Sequence, residues 1–506
     1  MSKYDEGEFM NKEMVYYSTR GGHGPVSASE AVLSGLAKDG GLFVPAWIPG
    51  FESSIEEMSR MDYRELAYSV MKLYLTDYTE AELKACIDGA YDEKFDTDGI
   101  VPLSKVGNEY FLELFHGPTI AFKDMALSIL PHLMVTAAKK QGLDKEIVIL
   151  TATSGDTGKA ALAGFAGVPG TRIMVYYPED GVSEIQRLQM VTQKESNTCV
   201  TSIKGNFDDA QNGVKKLFAN EKLREDAAAA GFQFSSANSI NIGRLVPQIV
   251  YYVYAYTRLV AAGEIEDGQE INVTVPTGNF GNILAAWLAK EMGLPIKKLV
   301  CASNENKVLT DFFRSGNYDR RRDFVLTSSP SMDILISSNL ERLLYWLCGS
   351  DPEQTAKMME QLASAGYYQI SEEMRHCIPE FYGDFASEGE VDATIKECGD
   401  KYGYVIDPHT AVAATVSHKY QAESGDEAPM LIASTASPYK FPASVLNAMG
   451  VQAEGEGWKK LMDKLCEVSG VAIPKAVTDL YEAPICHTNN CAPEEMEATV
   501  RAFLGL

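Results

Sequence analysis

The stretch that decides the fold is residues 147–165, IVILTATSGDTGKAALAGF. Its first four residues are apolar and mostly β-branched, and they predict a buried strand at 147–150. Residues 151–158 are rich in Gly, Ser and Thr and predict a loop, and the composition of residues 159–165 favours a helix. A strand, a loop and a helix in this order form the unit from which parallel sheets are built.

The same unit recurs along the chain. Amphipathic stretches between short β-branched runs predict helices at 183–193, 208–219, 245–261 and 283–292. Parallel strands need crossover connections, which are right-handed and usually helical. The alternation therefore predicts an α/β fold of mainly parallel open sheets flanked by helices in two domains. The predicted strands are at 147–150, 172–177, 199–203, 232–234, 271–275, 299–302 and 430–433.

The domain organisation follows from where this alternation stops. A chain of 506 residues has room for about three domains. Mostly helical patterns with Gly-rich breaks predict an N-terminal domain at 1–95. We expect a large α/β domain from 96–145 and 236–506, with a peripheral helical insertion at 350–400, and a smaller α/β domain at 146–235.

Composition excludes several classes of partner. The chain has 45 Lys and Arg against 70 Asp and Glu, a formal charge of −25, which repels nucleic acid and anionic lipid. Its apolar runs are shorter than the ~18 residues of a membrane span. The start, MSKYDEGEF, lacks the basic and apolar regions of a signal peptide. Nine scattered cysteines fit free thiols and show no zinc spacing. We expect a cytoplasmic protein without a nucleic-acid, membrane or metal partner.

A glycine-containing loop, TGNFGN at residues 277–282, follows the predicted strand 271–275 and precedes a helix. Its two glycines let the backbone approach a ligand, and amides at a helix start favour an anion. It is neither a Walker A loop nor a dinucleotide fingerprint, because the Lys-Ser/Thr pair and the Gly-x-Gly-x-x-Gly spacing are missing. A phosphate cradle and an ordinary tight βα turn fit these residues equally well.

A second loop, TSGDTG at residues 153–158, offers hydroxyls and amides at another helix start, which suits a carboxylate or a second phosphate. It is not a P-loop, because the first glycine and the Ser or Thr that holds magnesium are both replaced. N-capping by Ser154 or Asp156 accounts for the same residues and is compatible with ligand binding.

Two further elements are weaker when taken alone. Residues 434–438, STASP, follow the predicted strand 430–433, and a hydroxyl there can bond a heterocycle nitrogen without charging it; a proline-containing turn is the simpler interpretation. Lys123 in FHGPTIAFKD, residues 115–124, follows a small apolar run. Burial favours the neutral amine that forms Schiff bases, although most lysines are solvated surface groups.

Together and in this order, the four elements resemble the pyridoxal-phosphate enzymes of the tryptophan synthase β-like family, fold type II. Within it they are most similar to the long threonine synthases of bacteria and fungi. The resemblance runs from about residue 15 to the C-terminus; residues 1–13 lie outside it, and Met14 resembles a usual start. The motifs that carry it are 17–21 (YSTRG), 40–45 (GGLFVP), 115–124, 153–158, 236–241 (SANSIN) with Gly243 and Arg244, 277–282, 407–411 (DPHTA) and 435–440 (TASPYK).

The resemblance implies a role for each position. Lys123 would hold pyridoxal 5'-phosphate covalently and then act as acid and base, and Thr435 would face the pyridine nitrogen. The residues that would bind the cofactor's phosphate are Gly278, Asn279, Phe280, Gly281 and Asn282. Those that would bind the substrate's carboxylate are Ser154, Gly155, Asp156 and Thr157. Candidates for the substrate's phosphate are Asn238, Asn241 and Arg244, with Lys159 and Arg20 weaker; for Arg244 the alternative is a surface ion pair.

The implied activity is that of a lyase that converts O-phospho-L-homoserine and water to L-threonine and phosphate, the last step of threonine biosynthesis, as a monomer or homodimer. A phospho-lyase or a serine/threonine dehydratase on the same scaffold stays open, because both need Lys123 and the phosphate loop. A catalytically inactive ligand-binding homologue is expected to have lost one of these elements, and both are present. We predict that His116 and His409 are hydrogen-bonded loop histidines rather than proton-transfer groups.

Overall fold

The computed structural model describes residues 13–153 and 155–506. Ser154, predicted to bind the substrate's carboxylate, and residues 1–12 lie outside the described residues.

Strands and helices alternate over most of the described chain. The strands are β1 Val15–Ser18, β2 Val26–Ser27, β3 Phe43–Pro45, β4 Leu103–Val106, β5 Glu109–Glu113, β6 Glu146–Ala152, β7 Thr171–Pro178, β8 Thr198–Ile203, β9 Phe232–Ser235, β10 Ile271–Pro276, β11 Ile296–Ser303, β12 Asn317–Asp319, β13 Tyr367–Gln369, β14 Phe381–Phe385, β15 Met430–Ser434 and β16 Asn489–Cys491.

The helices are α1 Ala28–Ser34, α2 Ile55–Met58, α3 Tyr63–Met71, α4 Glu80–Ala90, α5 Lys123–Leu127, α6 Leu130–Lys140, α7 Asp156–Phe165, α8 Glu184–Val191, α9 Phe207–Ala219, α10 Glu221–Ala229, α11 Ile242–Ala261, α12 Gly281–Glu291, α13 Val308–Ser315, α14 Leu340–Leu347, α15 Pro352–Ser364, α16 Glu372–Arg375, α17 Glu388–Tyr402, α18 Pro408–Ser424, α19 Pro442–Ala448, α20 Trp458–Ser469, α21 Lys475–Thr478 and α22 Met496–Leu504. Short 3-10 helices lie at Pro330–Met332, Pro438–Lys440 and Pro493–Glu495.

Two larger sheets confirm the predicted α/β class. One has the strand order β14-β11-β10-β15-β5-β4 and is parallel except for the pair β4 and β5. The other, β16-β8-β7-β6-β9, is parallel throughout. All seven predicted strands lie within β6 to β11 and β15. Residues of β10 are buried along the whole strand, as parallel strands covered by helices on their faces must be.

The predicted long apolar helix is α11, which is buried at 17 of its 20 positions. It packs against α3, α5 and α12, so its apolar surface is covered by the protein itself. Among the described residues, no helix is both long and apolar enough to cross a membrane.

Three features differ from the sequence-based expectation. The N-terminal residues contain a three-stranded sheet, β2-β1-β3, besides their helices. The segment 350–400, expected to be a helical insertion, contributes β14 to the edge of the six-stranded sheet. The strand β16 lies in the segment assigned to the large domain, but it pairs with β8 of the other sheet. The strands β14 and β16 are short, lie at sheet edges and contain polar residues, so their sequences show little of the alternation that predicts a strand. The domain boundaries stay a prediction.

A glycine brings α5 and α7 together. A Cβ at Gly164 in α7 would overlap the backbone carbonyl of Leu127 at the end of α5. Because Lys123 begins α5 and Asp156 begins α7, this close approach helps to set the distance between the two side chains.

We expect Gly164→Ala to lower the free energy of unfolding by about 1–3 kcal/mol, because the new methyl group must displace backbone. Gly389→Ala in α17 is the matched control: nothing lies within 4 Å of its added Cβ. The higher helix propensity of alanine should leave that variant unchanged or stabilise it by up to about 1 kcal/mol. Chemical denaturation measures both; equal stability of the two variants would contradict the packing argument.

Candidate active site

Lys123 and Thr435 are brought together by backbone pairing. The N–H of Phe122 donates to the carbonyl of Thr435 at 2.8 Å, and the N–H of Ser437 donates to the carbonyl of Ile120 at 3.1 Å. Lys123 therefore starts α5 beside the carboxyl end of β15. Loops at the carboxyl ends of β6 and β10 supply the other parts of the site, as is usual in parallel sheets.

The amine of Lys123 lies among polar and charged groups. Its Nζ is 3.2 Å from Ser331 Oγ and 3.6 Å from Asp156 Oδ2. Burial lowers the pKa of Lys123 to about 8; Asp156 opposes this shift, and Lys440 and Arg244 add to it. A neutral amine, the form that attacks an aldehyde, is thus accessible near neutral pH.

The carboxylate of Asp156 forms ion pairs with three lysines. Its Oδ2 is 2.7 Å from the Nζ of Lys440, and its Oδ1 is 3.9 Å from that of Lys159. Burial alone would raise the pKa of Asp156, but Lys440, Lys123 and Lys159 hold it well below its usual range. A carboxylate repels another carboxylate, so this geometry favours the lysines as anion ligands, and the predicted substrate role of Asp156 stays a prediction.

Two buried lysines extend this cluster. Lys159 is 1% exposed and donates to Gln189 Oε1 at 2.5 Å; burial and the charge of Lys440 lower its pKa. The Nε2 of Gln189 has no hydrogen-bond partner within the described part of the chain. The sequence placed Lys440 only inside the 435–440 motif, and nothing in its local pattern distinguished it from a surface lysine.

Arg244, one of the candidate phosphate ligands, is buried at the start of α11. One guanidinium nitrogen donates to the carbonyl of Ala237 at 3.0 Å, while Nε has no partner among residues 13–153 and 155–506. Burial lowers the pKa of Arg244 to about 10. The alternative of a surface ion pair is wrong, because the side chain is buried and the described residues give it no carboxylate partner.

The other phosphate candidates have different surroundings. Asn241 caps α11: its Oδ1 accepts from the N–H of Gly243, and its Nδ2 donates to the carbonyl of Val32. Arg20 pairs with Glu341 at 2.8 Å, and Asn238 is exposed. Of the five candidates, Arg244 has a buried donor without a partner in the described chain, and Lys159 is a buried cation of the lysine cluster, so the geometry favours these two.

The loop at residues 153–158, predicted to bind the substrate's carboxylate, is described except for Ser154. Gly155 has φ +143°, and a Cβ there would clash with the amide of Gln186, which itself donates to Asp156 Oδ1 at 2.9 Å. Thr157 lies half-buried in the first turn of α7. Their predicted contacts with a substrate stay predictions.

The glycine loop has the form of an anion cradle. A Cβ at Gly278 would lie 2.7 Å from the carbonyl oxygen of Ser331, so only glycine fits there without displacing backbone. The carbonyl of Gly278 accepts from Ser337 Oγ at 2.6 Å, and that of Asn279 accepts from the N–H of Asn339 at 3.0 Å. The first amides of α12, which begins at Gly281 after the left-handed Phe280, have no acceptor within the helix.

Asn282 completes this cradle. Its Oδ1 accepts from the hydroxyl of Tyr252, which leaves its buried Nδ2 as a donor without a partner in the described chain. The cradle, the Lys123 amine and buried Thr435 fit a phosphate-bearing aldehyde with a heterocyclic ring.

Besides Lys440, sequence reasoning missed Ser331. Ser331, in the 3-10 helix Pro330–Met332, bridges Lys123 and Asp156, and no motif pointed to it. Its N–H donates to His409 Nε2 at 3.1 Å, and His409 Nδ1 is 2.7 Å from Asp407. His409 is thus hydrogen-bonded but lies in the first turn of α18, not in a loop.

His116 is also hydrogen-bonded, away from the cations. Its Nδ1 is 2.6 Å from Asp96, and its Nε2 is 2.8 Å from Glu113. Burial alone would lower its pKa, but the two carboxylates raise the pKa of His116 to about 9. This geometry fits a fixed ion pair between two chain segments.

Comparison with known families gives the class of protein. The family model described as "Pyridoxal-phosphate dependent enzyme" matches residues 100–435. The chain belongs to this family, and the expected cofactor, pyridoxal 5'-phosphate, is confirmed. The models "Threonine synthase N terminus" and "Threonine synthase, C-terminal" match residues 15–91 and 410–485.

Relatives that match nearly the whole chain identify the family within this class. The threonine synthase of Pseudomonas aeruginosa is 37% identical over 501 residues, covering 97% of this chain and 98% of that protein. The crystal structure of threonine synthase from Brucella melitensis with bound PLP has a TM-score of 0.87 at 36% identity, covering 98% of this chain and 100% of that one. The chain is a member of the threonine synthase family.

One group of relatives is longer. Human "Threonine synthase-like 1" is 40% identical over 441 residues, which are 85% of this chain but only 58% of that protein. The chain thus spans little more than half the length of these relatives.

We expect borohydride to fix a pyridoxyl group on Lys123 after incubation with pyridoxal phosphate, and peptide mapping to locate it there. Because the pKa of Lys123 is lowered to about 8, the loading rate should rise about tenfold per pH unit below 8 and level off above it. Lys123→Ala should abolish the adduct, and Lys139→Ala, at an exposed position on α6, should not. An inflection near the ordinary lysine pKa would contradict the burial argument.

Proposed function

We propose that the chain converts O-phospho-L-homoserine and water to L-threonine and phosphate as a pyridoxal-phosphate-dependent lyase. The observation that carries the proposal is the surplus of buried positive charge around Asp156. Lys123, Lys159, Lys440 and Arg244 are all buried or nearly so, and Asp156 is the carboxylate that ion-pairs with the lysines. Buried charge is costly unless opposite charge compensates it.

A second nearby carboxyl, that of Asp124, does not remove the surplus, because four basic groups face two carboxyls. Asp124 is 1% exposed and accepts hydrogen bonds from the N–H and hydroxyl of Thr119. Burial raises the pKa of Asp124, and its hydrogen bonds with Thr119 oppose this shift. A phosphate ester of an amino acid brings both a phosphate and a carboxylate to the site, beyond the cofactor's own phosphate. Serine or threonine brings a carboxylate alone, so the charge supports the phosphorylated substrate.

In the proposed reaction, Lys123 transfers protons, and three other basic residues bind anionic groups. When bound, the cofactor supplies an electron sink for charge developing at Cα. Lys123 takes the α-proton as a neutral amine and returns it as an ammonium group, and a pKa of about 8 keeps both forms accessible. Arg244, Lys159 and Lys440 hold the anionic groups, and they stabilise the negative charge on the phosphate that leaves Cγ. Cβ loses a proton and Cγ gains one as the phosphate leaves, and water adds its hydroxyl group to Cβ, so the reaction balances to threonine and phosphate.

With O-phospho-L-homoserine and pyridoxal phosphate, we expect L-threonine and free phosphate in equal amounts. Both are measured in the same reaction. Phosphate with 2-oxobutanoate and ammonia instead would identify a phospho-lyase, and consumption of threonine itself would identify a dehydratase. Absence of phosphate release from the loaded protein would refute the proposal.

Arg244→Gln removes a buried cation without a carboxylate partner. We expect kcat/KM for O-phospho-L-homoserine to fall on the order of 10²-fold, because a charge-assisted contact with the substrate's phosphate is lost. The pyridoxyl adduct on Lys123 should still form. The control is Arg375→Gln, which removes a partly exposed arginine whose partner is Glu372. Steady-state kinetics distinguishes the two; equal kinetics of R244Q and R375Q would exclude a substrate role for Arg244.

A further inference from the structure

Three groups form a triangle at the reactive amine. Lys123 Nζ donates to Ser331 Oγ at 3.2 Å, and Ser331 Oγ donates to Asp156 Oδ2 at 2.7 Å. The third side, from Lys123 Nζ to Asp156 Oδ2, is 3.6 Å, beyond hydrogen-bond distance. The hydroxyl of Ser331 thus donates to Oδ2 at hydrogen-bond distance, while the ammonium group of Lys123 stays farther from the same oxygen.

We propose that Ser331 is a positioning residue that keeps the 3.6 Å ion pair between Lys123 and Asp156 from shortening to a direct hydrogen bond. Without the hydroxyl, Oδ2 loses a donor and Lys123 loses an acceptor. A shift of less than 1 Å would bring the two into charge-assisted contact, which favours the ammonium form. The inference rests on the role proposed for Lys123, but not on the identity of the substrate.

Ser331 is itself fixed from two sides. Its N–H donates to His409 Nε2 at 3.1 Å, and His409 is oriented by Asp407, the N-cap of α18. Its carbonyl lies against Gly278 in the glycine loop, where a Cβ would come within 2.7 Å. The backbone of Ser331 is thus held by α18 and by the glycine loop, which keeps its side chain beside Asp156 when Lys123 moves.

The other charged groups that face Lys123 set the background for its protonation. Lys440 and Lys159 share Asp156 with it, and Arg244 faces it from α11. Burial, Lys440 and Arg244 favour the neutral amine, and Asp156 opposes them. The distance between Asp156 and Nζ therefore changes the balance.

The test measures the pKa of Lys123 in the full chain freed of cofactor. Competitive labelling with acetic anhydride at a series of pH values, followed by peptide mass spectrometry, gives the apparent value. We expect Ser331→Ala to raise it by about 1 pH unit and Ser331→Thr, which keeps the hydroxyl, to leave it near the wild-type value. Ser328→Ala is the matched control, because Ser328 Oγ has no hydrogen-bond partner among the described residues.

A second variant is needed, because Ser331→Ala could also raise the pKa of Lys123 by letting water into the site. That effect would move the pKa toward the value of an exposed lysine without any role for Asp156. In Ser331→Ala combined with Asp156→Asn, no direct pair can form, so we expect the pKa of Lys123 to fall below the wild-type value. An unchanged or lower pKa in the single variant overturns the proposal, and so does a rise that persists in the double variant. The assay contains no substrate, so its outcome is independent of whether threonine is the product.

Discussion

The structure depends on a concentration of buried positive charge around the carboxylate of Asp156. Lys440 lies 2.7 Å from it, and Lys123 and Lys159 lie 3.6 and 3.9 Å away. The three ammonium groups around this one carboxylate repel one another, and desolvation adds to the cost. Two consequences follow from the same physics: the pKa of Lys123 is lowered toward neutrality, and the site attracts anions. A reactive amine and an anionic ligand are therefore two results of one arrangement.

The fold permits this arrangement because several chain segments end at the same place. The carboxyl ends of β6, β10 and β15 lead into the loop before α7, the glycine loop and Thr435. Close packing of α5 on α7 at Gly164 then brings the lysine and the aspartate helices together. Rigid elements hold each charged group, so the cluster persists although its members repel.

The sequence predicts the parts of the site that follow buried strands. The run at 147–150 and the glycine loop after 271–275 have strong local signals, so β6, β10 and the loops behind them were predictable. The resemblance to a known family is the basis of the role proposed for Lys123. Ser331 was not predictable, because it lies in a 3-10 turn far from any strand end, and its importance arises from contacts with Lys123 and Asp156. The burial of Lys440 in the site was not predictable for a related reason. It results from tertiary packing, and a single lysine in a turn has no sequence pattern that indicates burial.

Two buried arginines differ in how completely the protein satisfies their hydrogen-bond donors. Burial lowers the pKa of both Arg244 and Arg342 to about 10, and neither forms an ion pair in the described part of the chain. Arg342 uses all its nitrogens: Nε donates to the carbonyl of Phe43 at 2.9 Å, Nη2 to that of Ile240 at 2.6 Å, and Nη1 to the side chain of Asn339. It thereby ties the N-terminal strand β3 to the segment that supports the glycine loop. Arg244 bonds one carbonyl and leaves a buried nitrogen unmatched. Because an unmatched buried donor costs the protein stability, its persistence beside Lys123 is best explained by an anion that satisfies it when bound.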